Sequence, residues 1–258
     1  MNDYTLTITE NVKVSADAWK MTLKSKVKLP EITGGQFLQF YIPERLDLSL
    51  RRPFCVCEYD ENTLTLYYAV LGRGTAAMAG LKKGTVTKCV LPLGNGFILK
   101  KEYKNVALIG GGLGVAPLLP VMKSYPDRNY RVYLGYRTAA HIFLQKEFEK
   151  CSHDAAIVTD DGSYGQRCFP TDVLRRDIEN GYKPDVLLTC GPEPLMKTVG
   201  NIAAAHNTDA YMTGENRMGC GVGACLVCTC AVKGDDGVYR NLRSCADGPV
   251  FDLKKIKI

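Results

Sequence analysis

Short apolar runs broken by glycine and proline fill the first hundred residues. They predict strands at Thr5–Ile8, Ala18–Ser25, Gln36–Ile42, Phe54–Glu58, Thr63–Val70 and Thr85–Leu91, because such runs between turn formers match strands and are too short for ordinary helices. Only Ala76–Leu81 reads as a helical turn. Even spacing of short strands predicts an antiparallel β-barrel over residues 1–100.

From Asn105 the rhythm changes. Strand-like runs Val106–Ile109, Arg131–Gly135, Ala155–Thr159 and Asp185–Thr189 alternate with helical stretches Val115–Ser124, Ala140–Lys150, Pro170–Asn180 and Glu193–His206. Alternation of this kind predicts an α/β domain over residues 101–210, a parallel sheet with helices on both faces. Ligands of such sheets gather at the carboxyl ends of the strands. Residues 211–258 form a third, smaller unit, in which Leu226 to Lys233 reads as a strand with Cys228 and Cys230 on one face and Cys230 as a spare buried thiol.

A length of 258 residues accommodates two domains and an appendage. The net charge of +6 is modest, and its lysines and arginines are dispersed apart from the terminal Lys-Lys-Ile-Lys-Ile, so the chain lacks a nucleic-acid footprint. Eleven cysteines, an odd number, with no signal peptide ahead of them, point to reduced thiols and a cytoplasmic protein. No apolar run is long enough to span a bilayer, and no membrane is expected as a partner.

The densest chemistry lies near the C-terminus. Cys220, Cys225 and Cys228 carry the C-x4-C-x2-C spacing of plant-type [2Fe–2S] centres, with Cys245 as the distant fourth ligand. Gly219, Gly221 and Gly223 let the backbone curl around sulfide and aim N–H groups at it. Four thiolates also suit structural zinc, but zinc sites usually show paired knuckles, and only Cys225 and Cys228 form one. A disulfide framework is the third alternative.

Two glycine-bearing turns and an arginine complete the candidates. Gly110 to Pro117 follows the first parallel strand and opens a helix, which suits a pyrophosphate, although tight packing alone also explains glycine there. Cys190-Gly191-Pro192 ends the fourth strand, either beside a nicotinamide ring or as a plain proline turn. Arg52-Pro53-Phe54-Cys55 enters a barrel strand, and Gly72-Arg73-Gly74-Thr75 precedes the helical turn; arginine and turn amides suit a flavin dinucleotide, or ordinary surface chemistry.

With these residues in order, the chain resembles the ferredoxin-reductase superfamily over nearly its whole length. Within it, the chain is similar to the electron-transfer subunits of NAD-dependent (class 1B) dihydroorotate dehydrogenases. Five stretches carry the likeness: Leu93-Gly94-Asn95-Gly96-Phe97, Gly112 to Pro117, Thr159-Asp160-Asp161-Gly162-Ser163-Tyr164-Gly165, Cys190-Gly191-Pro192, and Glu215 to Cys225, the last joined by Cys245 to Phe251. The family's Arg-x-Tyr/Phe-Ser/Thr flavin element becomes Arg52-Pro53-Phe54-Cys55, with cysteine at the hydroxyl position.

The resemblance implies FAD, NAD and a [2Fe–2S] cluster as cofactors. Arg52, Pro53, Phe54, Cys55, Val70, Leu71, Gly72, Gly74 and Thr75 would line flavin; Gly112, Gly114, Pro117, Cys190, Gly191 and Pro192 would frame the nicotinamide nucleotide; Cys220, Cys225, Cys228 and Cys245 would bind iron. It further implies an FMN-containing catalytic subunit that oxidises dihydroorotate, assembled as a heterotetramer, in pyrimidine biosynthesis. No general acid or base is required of this chain. A lone Arg137 after the second parallel strand favours NAD over NADP. Alternatives are another iron–sulfur flavoprotein reductase, such as a sulfide dehydrogenase or ferredoxin:NADP oxidoreductase subunit, and a zinc-stabilised nucleotide-binding module without turnover.

Overall fold

The computed structural model describes residues 1–152, 154–214 and 217–258. Seven antiparallel strands open the chain: β1 (Asn2–Lys13), β2 (Ala18–Ser25), β3 (Phe37–Phe40), β4 (Arg52–Cys55), β5 (Glu58–Tyr59), β6 (Thr63–Ala69) and β7 (Val86–Leu93). They form one sheet in the order β4-β3-β7-β1-β2-β6-β5. That sheet curls on itself, since Phe54 on edge strand β4 meets Tyr68 of β6 with ring centroids 5.8 Å apart. Alternation sends Leu6, Ile8, Met21, Leu23, Leu38, Phe40, Leu64 and Leu66 into a single buried core. Helix α1 (Arg73–Ala79) adds Met78 to it.

Two barrel boundaries differ from the sequence expectation. The run Phe54–Glu58 splits into β4 and β5 because Val56 and Cys57 turn inward between them, each 1% exposed. β1 extends well beyond Thr5–Ile8 because it pairs with β2 on one side and β7 on the other, so its polar ends are held by ladder bonds and not by burial.

The second unit contains β8 (Asn105–Gly111), α2 (Leu119–Ser124), β9 (Asn129–Tyr136), α3 (Gln145–Cys151), β10 (Asp154–Thr159), α4 (Pro170–Glu179), β11 (Val186–Cys190), α5 (Glu193–Ala205) and β12 (Asp209–Thr213). β13 (Thr229–Lys233) and β14 (Tyr239–Arg243) form a separate hairpin, and β15 (Val250–Asp252) returns to the large sheet. Its order is β10-β9-β8-β11-β12-β15, parallel throughout except for β15, which runs antiparallel to β12. Val106 and Leu108 pack on one face with Leu118, Val121 and Phe148, while Ala107 and Ile109 pack on the other with Leu174, Met196 and Val199. The first of these cores also takes in Ala18 and Cys57, and Tyr67 stacks on Phe143 at 5.2 Å, which joins barrel and sheet.

Two helices are shorter than the pattern predicts. Val115–Ser124 becomes a tight 3-10 turn, Gly112–Leu118, followed by α2, since Pro117 and Pro120 carry no N–H. Ala140–Lys150 opens with a single 3-10 turn, Ala139–His141, and becomes α-helical only at Gln145: Leu144 is left-handed at φ 60°, and the Phe143 carbonyl accepts the Tyr136 hydroxyl at 2.7 Å. Among the described residues no helix is long and apolar enough to cross a membrane.

Candidate functional site

At one end of the barrel, two separated segments meet. A Cβ on Gly74, in the first turn of α1, would lie 2.6 Å from Arg52 Nε, so the missing side chain is what lets the guanidinium rest there. Arg52 Nη1 donates to the carbonyls of Leu48, at 3.3 Å, and Leu50. Thr75 Oγ1 accepts from the N–H groups of Leu71 and Gly72 at 2.9 and 3.2 Å, which fixes the turn. Val70 and Leu71 are exposed beside Gly72, whose missing Cβ would meet open space. Pro53, Phe54 and Cys55 are half-buried along β4. A half-buried guanidinium beside turn amides can take a phosphate bidentately.

A second site forms where the sheet order reverses. The chain leaves β8 toward β9, while β11 lies on its other side, which opens a crevice at the carboxyl ends. The loops after β8 and β11 touch: a Cβ on Gly114 would lie 2.4 Å from the Cys190 carbonyl oxygen, and one on Gly191 would lie 3.0 Å from Gly111 N. Gly114 and Pro117 are buried and Cys190 is 1% exposed, so these three form the floor. Gly112, at φ 55°, borders open space, and Pro192 is exposed at the rim. The loop after β10 closes one side, as Ser163 Oγ accepts from Ala139 N at 2.7 Å and Asp161 holds Ser163 at 2.6 Å.

The four C-terminal cysteines gather into one loop and fall into two pairs linked by backbone N–H to sulfur hydrogen bonds, Cys220 with Cys225 and Cys228 with Cys245. Backbone amides aim at their sulfurs. Val222, Ala224 and Cys225 donate to Cys220 Sγ at 3.4, 3.3 and 3.4 Å, Gly223 to Cys245 Sγ at 3.1 Å, and Cys245 to Cys228 Sγ at 3.4 Å. Gly221 and Gly223, at φ 72° and 83°, make this curl possible. Those N–H groups, Val222 first, pull the Cys220 thiol below its ordinary range, whereas burial pushes Cys245 up. Among the described residues no three ligand groups converge on a point for a single metal ion. Two pairs of thiols ringed by amides match the donor set of a two-iron cluster, with two thiolates for each iron.

The cluster loop is tied to both larger units. Cys228 and Cys245 pack with Phe37 and Leu93, and Cys55, Val90 and Met218 pack against them. Asn95 Nδ2 donates to the carbonyls of Asp247 and Val250 at 3.3 and 3.1 Å, and its Oδ1 accepts from Val250 N at 2.9 Å. The Leu93–Phe97 and Cys245–Phe251 stretches therefore meet in space. Arg243 spans the loop, pairing with Asp247 through Nε at 2.9 Å and donating to the Gly223 carbonyl at 3.2 Å. Glu215 and Asn216 of the sequence motif lie outside the described residues.

Of the two cysteines expected on one strand, only Cys230 lies in β13. β13 starts after Cys228, so strand alternation does not link the two; Cys230 is half-buried and packs against the sheet core, its thiol donating to the Leu242 carbonyl at 3.6 Å. Phe37, Asn95 and Arg243 support the cluster loop; of these the sequence pointed only to Asn95, within the Leu93–Phe97 stretch, and gave it no role. The cluster-loop partners of Phe37 and Asn95 lie more than 150 positions along the chain, which leaves no local signal.

Comparison with known proteins matches residues 215–257 to the iron-sulfur cluster binding domain of dihydroorotate dehydrogenase B, and residues 108–201 to the oxidoreductase NAD-binding domain. The dihydroorotate dehydrogenase B (NAD(+)) electron transfer subunit of Fusobacterium nucleatum is 36% identical, with 98% of this chain and 97% of that protein aligned. The Bacillus velezensis subunit of the same name is 33% identical, with 98% of each covered. Among solved structures, an NADH-dependent reduced ferredoxin-NADP oxidoreductase, studied for flavin-based electron bifurcation, superposes with a TM-score of 0.87 at 26% identity, over 98% of this chain and 89% of that one.

Proposed function

The chain belongs to the family of dihydroorotate dehydrogenase B electron-transfer subunits, and from that premise we propose that it accepts single electrons from a catalytic subunit and delivers them in pairs to NAD+. When bound, a [2Fe–2S] cluster passes one electron, FAD one or two, and NAD+ takes a hydride, which puts flavin between the other carriers. Cys220, Cys225, Cys228 and Cys245 would hold the cluster, which would supply one-electron transfer. Arg52 faces the FAD pyrophosphate, with Gly72, Gly74 and Thr75 beside it and Pro53, Phe54, Cys55, Val70 and Leu71 along the flavin. Gly112, Gly191 and Pro192 contact the nicotinamide nucleotide over a floor of Gly114, Pro117 and Cys190. Arg137 after β9 stands without an arginine cluster that would favour a 2′-phosphate, in keeping with NAD.

The observation that carries this reading is the packing of the buried thiol pair on Phe37 and Cys55, which puts the cluster loop in direct apolar contact with the strand bearing the flavin motif. The other thiol pair is rimmed by Val222, Leu226 and Val227, exposed by 44, 62 and 59%. That apolar rim faces the FMN-containing catalytic subunit, two copies of each chain making a heterotetramer in the cytoplasm. The likeness to the ferredoxin-NADP oxidoreductase supports a second reading, in which an iron–sulfur protein is the partner.

Anaerobic co-purification with the catalytic subunit separates them. Dihydroorotate should bleach the flavin and cluster absorbance, and NAD+ should restore it. Cys225→Ser should keep FAD and its response to NADH but lose dihydroorotate-to-NAD+ turnover. Normal turnover in that variant would contradict the role of the cluster.

A further inference from the structure

We infer that Gln39 tunes the iron–sulfur group: its side-chain amide donates a hydrogen bond to a cluster sulfur and raises the reduction potential. This rests on the electron-transfer reading above. Gln39 sits on β3, where alternation turns Leu38 and Phe40 into the barrel core and leaves Phe37 and Gln39 on the outer face. Phe37 on that face packs with Cys228 and Cys245. Gln39 is 1% exposed, yet neither Nε2 nor Oε1 has a hydrogen-bond partner among the described residues.

A buried amide is rarely left unpaired, because its lost hydration is not replaced. Nearby Gln36 shows the ordinary solution, with Nε2 donating to the Gly94 carbonyl and Oε1 accepting from Thr33 N, both at 2.9 Å. Gln39 points elsewhere. A Cβ built on Gly221 would lie 2.2 Å from its Nε2, so the side chain fills the space under the residue that follows Cys220. The neighbouring amides of Val222, Gly223, Ala224 and Cys225 already aim at sulfur. What a filled loop offers the Gln39 amide is sulfur, which accepts and cannot donate once thiolate or sulfide. A donor on sulfur stabilises the extra negative charge of the reduced cluster, and so raises the potential.

The test is an EPR-monitored redox titration of the full-length chain carrying iron, sulfide and FAD. In Gln39→Leu the cluster midpoint should fall by about 59 mV, a tenfold change in a one-electron equilibrium, with iron content and the FAD potential unchanged. Gln39→Met, whose thioether fills similar space but has no N–H or O–H to donate, should fall as far. A fully loaded Gln39→Leu with an unmoved cluster potential overturns the inference, as a purely structural role would leave the potential alone. If the variants fail to load, the wild-type protein decides: with 15N in its glutamine side-chain amides, pulsed EPR of the reduced cluster should show a nitrogen coupling, and its absence overturns the hydrogen bond. A wild-type chain that takes up no iron and sulfide would instead overturn the electron-transfer reading itself.

Discussion

Cys228 and Cys245 are each 2% exposed and lie on Phe37 and Leu93, whereas Cys225 stands in solvent and Cys220 is held mainly by the amides of its own loop. The two pairs are the same chemistry fixed by different means. The inner pair is positioned by core packing against the barrel, contributed by residues far earlier in the chain, Phe37 and Leu93. The outer pair is positioned by backbone conformation, contributed by glycines between the ligands. A defect in packing should therefore weaken the whole molecule, and a defect in the loop should remain local.

The strongest test of that difference is Phe37→Ala. The ring is 2% exposed, and deleting a buried phenyl group costs about 3–5 kcal/mol through lost transfer energy and the cavity left behind. Denaturant unfolding of the metal-free chain should register a loss of that size, and iron uptake should fall with it. A loss under about 1 kcal/mol would mean that the β13–β14 hairpin holds the inner pair without help from the barrel.

Gly221→Ala probes the outer pair, with a smaller effect on stability. At φ 72° a Cβ costs about 1–2 kcal/mol, and it would also collide with Gln39. The two costs separate in a double-mutant cycle. Combining Gly221→Ala with Gln39→Ala should remove the collision and keep the backbone strain, so the pair should be less damaging than the sum of the singles. Strict additivity would show that Gln39 does not fill the space beneath the loop.

The same contrast explains what the sequence made legible. Spacing exposed the outer cysteines and glycines because their loop is local: its thiols, amides and turns are written within a few residues. The crevice was legible for the same reason, each glycine turn following directly on a strand. Packing of the inner pair was not. Alternation in the predicted strand Gln36–Ile42 tells that Phe37 and Gln39 share a face, but nothing in it tells that Cys228 and Gly221 cover them. β15 escaped because three residues show no period, and its place beside β12 depends on Asn95 pinning Val250. The helix expected from Ala140 failed through the left-handed Leu144, a conformation that its side chain gives no reason to expect.

Leu226 offers the finest test, because its substitution should change sign. It lies between two ligands, is 62% exposed, and sits at φ 59°, where an L-residue is strained and glycine is not. Relief of that strain, less the entropy that glycine loses on folding, predicts a gain of about 0.5 kcal/mol for Leu226→Gly, visible as a raised unfolding midpoint. An exposed apolar residue held in a strained conformation beside an exposed cysteine is not explained by the stability of this chain. It is explained if the side chain is needed outside it, on the face offered to the catalytic subunit. Leu226→Gly should then bind that subunit more weakly, by lengthened titration or faster dissociation, while folding at least as well as the wild type. Loss of stability in this variant would return Leu226 to the packing of the loop, and would remove the strongest physical reason to assign the outer rim to a partner.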